Sequence, residues 1–392
     1  MHKEQLDKNK LHLTSFVTLL MGFSQAVLVY IMSFYFELSS GIKSVGMFYG
    51  LSYAVFLVIL LNFHKLVRLW GKSAIFYYSL LTKIIILAAL IFIEPSKATI
   101  LLMMLYIVFV HVEWVALDVI VESFSIDRLS GRIRGLHLMI ISTGFLCGPF
   151  ISTYMLEKMN FQGVFMLTLI FNCFVFIFSL IGFRKANHHF EQRIKVWDIL
   201  NKVIQKKDIL RIYYIALVLD FFYAMMTIYT PIHLYDLGYS LEQIGVIFTI
   251  MLLPFVILQY PMGMLADKKT GEKEFIIFSL LILAFSTLAV YFIGVGTLFV
   301  WAFVLFLTRI GAALLEILRD SYFFKKIDAN DVDMIGFFRT SLPVAYIIAT
   351  MFSTLILFFL SMKFIFIAAG IVVLSALYPA FKLIDNKAEN EM

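Results

Sequence analysis

Charged side chains are scarce in this chain of 392 residues. Only 15% of the residues are Asp, Glu, Lys or Arg, whereas 62% are hydrophobic. Soluble domains carry roughly 25% charged and 45–50% apolar residues, so a soluble fold of this size could not bury so much apolar surface. The composition therefore excludes an ordinary soluble domain and indicates a protein that crosses a membrane several times.

Cysteine, nucleotide-binding loops and metal-ligand patterns are also missing or rare. The two cysteines, Cys147 and Cys173, both lie in predicted membrane segments, so no disulfide framework is implied. No G-x-x-x-x-G-K-[ST] element is present, which argues against nucleotide hydrolysis. The eight histidines show no ligand spacing, and His188-His189 is interpreted as a surface pair. We predict no enzyme, no metal site and no cofactor.

Long apolar runs fill most of the chain. They reach about 20 residues or more, as membrane helices require, rather than the alternating ~10-residue segments of a barrel. The polar N-terminus, MHKEQLDKNK, does not suit a cleavable signal, so the first run is expected to remain as an anchor. We predict an all-α polytopic membrane protein with twelve spans, at 11–36, 44–64, 73–93, 98–124, 133–157, 162–183, 211–235, 241–265, 274–294, 297–324, 333–360 and 364–382.

The distribution of positive charge predicts the orientation. The chain has 32 Lys and Arg residues, and Lys83 and Arg309 fall at membrane depth. Four lie on the side opposite to the remainder: Lys43, Lys97, Lys158 and Lys363. Loops rich in Lys and Arg face the cytoplasm, so both termini and the central linker are predicted to be cytoplasmic, in the cell (inner) membrane.

A polar linker divides the chain into two halves. We predict a six-helix bundle at 1–183, a cytoplasmic linker at 184–210 and a second six-helix bundle at 211–392. Apolar residues at helical spacing around Trp197, with lysines beside them, suit an amphipathic helix on the inner leaflet, although a solvated connector is the alternative.

The two halves repeat each other. Gly46 and Gly245 lie in similar segments at an offset of 199, and Glu122-Ser123 matches Asp320-Ser321 at an offset of 198. A register held this closely is not expected by chance. Both halves enter the membrane from the same side, so they are predicted to be parallel repeats related by an axis along the membrane normal.

Ionisable residues form a matching stripe in each half. In the fourth span the spacing i, i+7, i+11 places His111, Asp118 and Glu122 on one helix face. The tenth span repeats this spacing with Arg309, Glu316 and Asp320. Charges in hydrocarbon cost at least about 2.5–3.5 kcal/mol each, so the deeper members are candidates for a functional site. Glu122 and Asp320 lie nearer the helix ends, where they could instead pair with loop cations such as Arg128 or Lys325.

Glu113 lies on a different face of the fourth span. It points about 200° away from His111, at 100° per residue, which favours pairing against another helix. Lys83, halfway along the third span, is a candidate partner for an acid that the sequence does not identify.

One loop carries a specific resemblance. The segment from Gly263 to Lys273, GMLADKKTGEK, resembles the signature loop G-x-L-A-D-[RK]-x-G-[RK]-[RK] of the major facilitator superfamily, with one extra residue. Gly144, Gly148 and Pro149 are similar to its G-x-x-x-G-P element, and Arg309 to Ala313 loosely resembles R-x-x-x-G. The resemblance implies a transporter of two pseudo-symmetric six-helix bundles, whose first, fourth, seventh and tenth spans line a central cavity.

The resemblance also implies a cytoplasmic gate. A carboxylate at Asp267 can meet the positive end of a neighbouring helix, and the family's loops latch the halves on that side. The first-half loop departs from the pattern, because Arg68 stands where Asp267 stands in the second copy. A turn with solvated charges is the alternative. The predicted gate residues are Gly263, Asp267, Lys268, Gly271, Glu122, Asp320 and Arg68.

The predicted function is secondary transport of a small organic solute by alternating access, coupled to protons. The candidates for substrate binding or proton coupling are Asp220, Arg309, His111, Asp118, Glu316 and Gln25. Acids that face the cavity would favour a cationic substrate, whereas a dominant Arg309 would favour an organic anion. The alternative is a non-transporting membrane sensor or a lipid-handling protein. Membrane lipid, protons and the solute are the expected partners of a monomer, and no nucleic acid is expected.

Overall fold

The computed structural model is helical throughout its described part, residues 8–122, 130–182, 205–265, 271–327 and 332–384. In the first half the helices are Lys8–Val29, Met32–Ser40, Gly46–Leu61, Phe63–Trp70, Lys72–Phe92, Lys97–Glu122, Ser130–Leu146 and Gly148–Gly182. In the second half they are Lys207–Asp236, Leu241–Leu265, Lys273–Phe292, Leu298–Lys326, Val332–Arg339, Ser341–Phe359, Phe364–Ser375 and Leu377–Phe381.

These helices form twelve membrane spans. Ten described segments are long and apolar enough to cross, and the bent pair Gly46–Leu61 and Phe63–Trp70 adds one more. The segment Leu138–Leu180 has 43 residues, or about 65 Å of helix at 1.5 Å per residue, which is twice a bilayer core. A kink at Asn160, with φ 54°, divides it into the fifth and sixth spans. The prediction of an all-α protein with twelve spans in two bundles is confirmed.

Two details differ from the predicted spans. The first span is interrupted between Val29 and Met32. The predicted loop after the second span is the short helix Phe63–Trp70, which bends by 60° from the preceding helix. Its apolar side chains Phe63 and Val67 are buried and its cations are exposed, so it has the character of an interfacial helix.

The two halves meet along two seams. The second span packs against the eleventh, and the fifth packs against the eighth. Glycine permits this approach, because a Cβ on Gly46 would meet Tyr229 and Ser353, and one on Gly245 would meet Thr153. These are the two glycines that the repeat aligned, so equivalent positions of the two halves serve the same packing purpose.

The outer surface is strongly apolar. Phe92, Phe292 and Phe358 are 86%, 80% and 81% exposed. Contiguous apolar surface of this extent is unsuited to water and suits a lipid environment. We call the side of the bundle at which the fourth span terminates the near end. The opposite side, with the loops that follow the first and seventh spans, is the far end. The linker prediction falls mainly on 183–204, outside the described residues.

Candidate functional site

A buried ion pair joins the seventh and tenth spans. Arg319 Nη1 lies 3.1 Å from Asp220 Oδ1, and their side chains are 10% and 4% exposed. Ser341 of the eleventh span donates a hydrogen bond of 2.7 Å to Asp220 Oδ2, and Arg319 also donates to the carbonyl of Ala216. Both carboxylate oxygens of Asp220 are therefore occupied by protein donors.

Arg319 balances a second acid. Its Nε lies 3.3 Å from Asp320 Oδ1, and Asp320 is buried. Lys325, one of the loop cations considered as a partner of Asp320, has its Nζ 2.7 Å from Glu272. One guanidinium thus faces two carboxylates, and the group carries a net charge of about −1 when all three are ionised.

Glu316 accepts hydrogen bonds from neutral groups. Gln259 Nε2 of the eighth span donates to Glu316 Oε2 at 2.8 Å, and the Tyr223 hydroxyl lies at 3.5 Å from the same oxygen. Gln259 Oε1 in turn accepts from Ser142 of the fifth span at 3.1 Å. This chain of hydrogen bonds crosses the seam between the two halves and ends on an acid of the central stripe.

Arg309 lies among aromatic rings rather than acids. Its guanidinium carbon is 5.2 Å from the ring centre of Phe222 and 5.8 Å from that of Tyr223. The residue is 2% exposed, and its Nε and Nη1 have no hydrogen-bond partner among the described residues. The structure therefore separates Arg309 from Asp220, which the sequence grouped in one pocket.

The twin stripe in the fourth span has different surroundings. His111 packs against Tyr53 and Phe56, at 4.8 and 5.2 Å between ring centres. Tyr53 stacks at 3.9 Å on Tyr346 of the other half. Asp118 Oδ2 lies 3.0 Å from Arg339 Nη2 of the eleventh span. This member of the stripe therefore links the two halves on the side of the bundle that we call the near end.

Two further polar contacts lie within the first half. Gln25 Oε1 accepts a hydrogen bond of 2.5 Å from Trp114 Nε1. Lys83 forms an ion pair with Glu113, and both side chains are buried. The predictions that Glu113 pairs against another helix and that Lys83 meets an acid are confirmed, whereas Gln25 does not meet Asp220 or Arg309 in the described contacts.

The predicted gate residues are only partly described. Asp267 and Lys268 lie in 266–270, outside the described residues, and so does the side chain of Glu122. Gly263 is buried in the eighth span, Arg68 is exposed, and Gly271 has a φ of 67° that favours glycine. After this turn, Glu272 accepts a hydrogen bond from Ser321 at 2.8 Å, which ties the loop to the tenth span.

The G-x-x-x-G-P element packs the fifth span against the first. A Cβ on Gly144 would meet the backbone of Leu19 and Phe23, and one on Gly148 would meet Ala26. The Pro149 carbonyl accepts from Ser152 and Thr153 at 2.9 Å. Small residues at this spacing allow close helix approach in membranes.

Sequence reasoning missed several groups that complete these contacts. Arg319 was counted among the cytoplasmic cations, although it lies seven residues, or about 10 Å, inside the end of its helix. Ionisable residues deep in the membrane are candidates for a functional site, and this argument, which selected Arg309, applies to Arg319 as well. Gln259 and Ser341 carried no comparable signal, because neutral polar residues are common in membrane helices. Arg339 carried none because charged residues are common near the ends of such helices.

Two of three comparisons with known proteins find a match. The family model described as Major Facilitator Superfamily matches residues 212–391. The crystal structure of the human organic anion transporter MFSD10 (TETRAN) is similar with a TM-score of 0.70 and 14% identity, covering 96% of this chain and 100% of that chain. At this identity the likeness shows the fold alone. A search of curated proteins finds no match.

Proposed function

We propose that the chain is a secondary transporter of the major facilitator superfamily, whose family model matches its second half at residues 212–391, and that it moves a small organic solute by alternating access. The observation that carries this proposal is the hydrogen-bonded chain Ser142–Gln259–Glu316, which connects one half to a partly buried acid of the other. Polar groups at a seam between two bundles can bind a solute and can exchange partners when the bundles rock. The similar human protein is an organic anion transporter by name, and that name describes the human protein alone.

Ion pairs at both ends of the seam support alternating access. Lys43 Nζ lies 2.6 Å from Asp236 Oδ1 at the far end, and Asp118 pairs with Arg339 toward the near end. Each pair joins one half to the other, so opening either end requires separation of its own pair. Asp236 raises the pKa of Lys43 through their hydrogen bond. That link is therefore lost only as the pH rises through the raised pKa, above the usual ~10.4.

Charge reversal at the two ends should shift access in opposite directions. We expect Lys43→Glu to open the far end and Asp118→Arg to close it, because each removes the attraction that holds one end shut. A reporter cysteine at Ser353→Cys, buried behind Gly46 and Tyr229, should react with a thiol reagent faster in the first variant and more slowly in the second. Exposed pairs contribute about 0.2–1 kcal/mol, so rates should change by roughly 1.4- to 5-fold.

The natural cysteines define the background for this experiment. Cys147 and Cys173 are both exposed and are first replaced by Ala. The swaps Lys43→Glu with Asp236→Lys, and Asp118→Arg with Arg339→Asp, restore attraction and should restore the labelling rate. Rates that move in the same direction for both single reversals would contradict the assignment of the two pairs to opposite ends of the cycle.

Glu316 is the proposed proton carrier. Glu316 receives hydrogen bonds from the amide of Gln259 and the phenol of Tyr223, and both groups can also accept a hydrogen bond from a protonated carboxyl. Asp220 instead pairs with the guanidinium of Arg319, which can only donate. The charged groups that face Glu316 are Arg319 and Asp320 on its own helix and Asp220 on the seventh span. Protonation of Glu316 would alter the hydrogen bonds that reach Ser142 across the seam. It would thereby change the relative stability of the two access states of the transporter.

Solute flux in proteoliposomes tests this function. With an imposed pH gradient we expect wild-type protein to accumulate a solute from a broad panel, and Glu316→Gln to lose gradient-driven accumulation while keeping exchange of labelled for unlabelled solute. Tyr223→Phe is the matched control, since it removes a hydrogen bond to Glu316 and leaves the acid in place. Gradient-driven accumulation by Glu316→Gln at the wild-type rate would refute the coupling role, and absence of all flux would refute transport.

A further inference from the structure

Arg309 is a buried cation that has no counter-ion in the described part of the chain. It is 2% exposed, and two of its three guanidinium nitrogens lack a hydrogen-bond partner among the described residues. Leaving charged N–H groups buried and unpaired is costly, and proteins ordinarily pair such groups. A buried guanidinium in this condition indicates a position that a ligand completes.

Other cations of the described spans do not share this property. Lys83 pairs with Glu113, Arg319 faces two acids, and Arg339 pairs with Asp118. Glu316, two helical turns beyond Arg309, is hydrogen-bonded to Gln259 instead. Within the described ranges, the positive charge of Arg309 is therefore uncompensated at the point where the two halves meet.

The surroundings of Arg309 define the remainder of the site. The rings of Phe222 and Tyr223 lie against its guanidinium, a geometry that holds Arg through cation–π attraction. Tyr30 of the first span and Tyr346 of the eleventh span lie close enough to interact with its charge. Two rings thus border the cation, and tyrosines of both halves lie within range of its charge, which suits a ligand with an anionic head and an apolar body.

Resting on the transport function proposed above, we propose that Arg309 binds the carboxylate of an organic monoanion whose apolar or aromatic body packs against Phe222 and Tyr223. A guanidinium matches a carboxylate with two parallel hydrogen bonds, which would occupy its unpaired N–H groups. A single negative charge fits best, because Arg319, the other buried arginine nearby, already faces Asp220 and Asp320. A cationic solute would find no free acid beside Arg309 among the residues that the structure describes.

A matched set of probes tests the charge requirement. Purified full-length protein in lipid nanodiscs is heated with 4-phenylbutyrate, 4-phenylbutyramide or 4-phenylbutylamine, together with their shorter and longer homologues. We expect the carboxylates to raise the Tm in a concentration-dependent way and the amides and amines to leave it unchanged, since a ligand stabilises the state that it binds. Equal shifts with amides or amines, or no shift with any carboxylate, would overturn the proposal.

Arg309→Gln supplies a second and ligand-free readout. We expect it to weaken carboxylate binding at least ~10-fold and to raise the Tm of the empty protein, because it removes an unpaired buried charge. Lys97→Gln, at an exposed cation outside the proposed site and gate, is the matched control and should change neither property. A structural role for Arg309 would instead lower the Tm of the empty protein, and retained carboxylate binding in Arg309→Gln would contradict the assignment.

Flux measurements separate this inference from the function on which it rests. Gradient-driven flux that is confined to amines or neutral solutes, and is unchanged in Arg309→Gln, would reject the anion site and leave transport standing. Carboxylate binding that depends on Arg309 without flux of any solute would support the site and reject transport.

Discussion

Replacement of Arg319 with Met should lower the free energy of unfolding by about 3–5 kcal/mol, the usual cost of leaving a buried charge without its partner. Arg319 faces both Asp220 and Asp320, so its loss leaves two buried carboxylates close together. Asp220→Asn should cost less, about 1–3 kcal/mol, because Arg319 keeps Asp320 and the Asn amide can still accept from Ser341. The asymmetry between the two variants is the specific prediction of a shared guanidinium.

Combined variants distinguish a shared charge from simple packing. Asp220→Asn with Arg319→Met leaves only Asp320 unpaired, and adding Asp320→Asn removes the last charge. Stability should therefore recover stepwise from the single Arg319→Met variant to the triple variant, as measured by unfolding in mixed micelles. Lys43→Gln, in the exposed pair with Asp236, is the control and should cost less than about 1 kcal/mol. Equal losses for Asp220→Asn and Arg319→Met, or additive losses in the combinations, would reject the shared pairing.

The course of the chain through the membrane was predictable from the sequence, because it depends on length and hydropathy. A bilayer core sets the length of each apolar run, and this alone separates twelve spans. The repeat also identified Gly46 and Gly245, which the structure places at equivalent seams. The kink at Asn160 and the break after Val29 were not predicted, since both are local backbone changes inside continuous apolar runs.

The pairing of side chains was less predictable, because it depends on how each helix is rotated against its neighbours. Spacing along the tenth span placed Arg309 and Glu316 on one face, and the sequence could not show which arginine would meet Asp220. Lys83 and Glu113 were each expected to meet a partner because both are deep charges, but only the structure shows that they pair with each other. The pairing of Asp118 with Arg339 joins residues 221 positions apart in different halves, a contact that only the packed structure reveals.

Larger side chains at the two glycines of the fifth span should destabilise the first bundle. A Cβ on Gly144 would overlap the carbonyl of Leu19 and the amide of Phe23, which are backbone groups of the first span. Overpacking in a close-packed interior typically costs about 1–3 kcal/mol, so Gly144→Ala should lower stability by this amount and Gly144→Leu by more. Gly336 is exposed on a helix with open space around it, so Gly336→Ala should be neutral or stabilising by up to ~1 kcal/mol.

The identity of each neighbour determines which substitution can be rescued. The nearest atom to a Cβ on Gly148 is the Cβ of Ala26, with the Ala26 backbone slightly farther away. Ala26→Gly should therefore recover part of the stability lost in Gly148→Ala, whereas it should recover none of the loss in Gly144→Ala, whose neighbours are backbone atoms of other residues. Thermal unfolding of the three single and two double variants measures this difference. Rescue of Gly144→Ala by Ala26→Gly would show that general loosening of the first span, rather than a local exchange of volume, determines stability here.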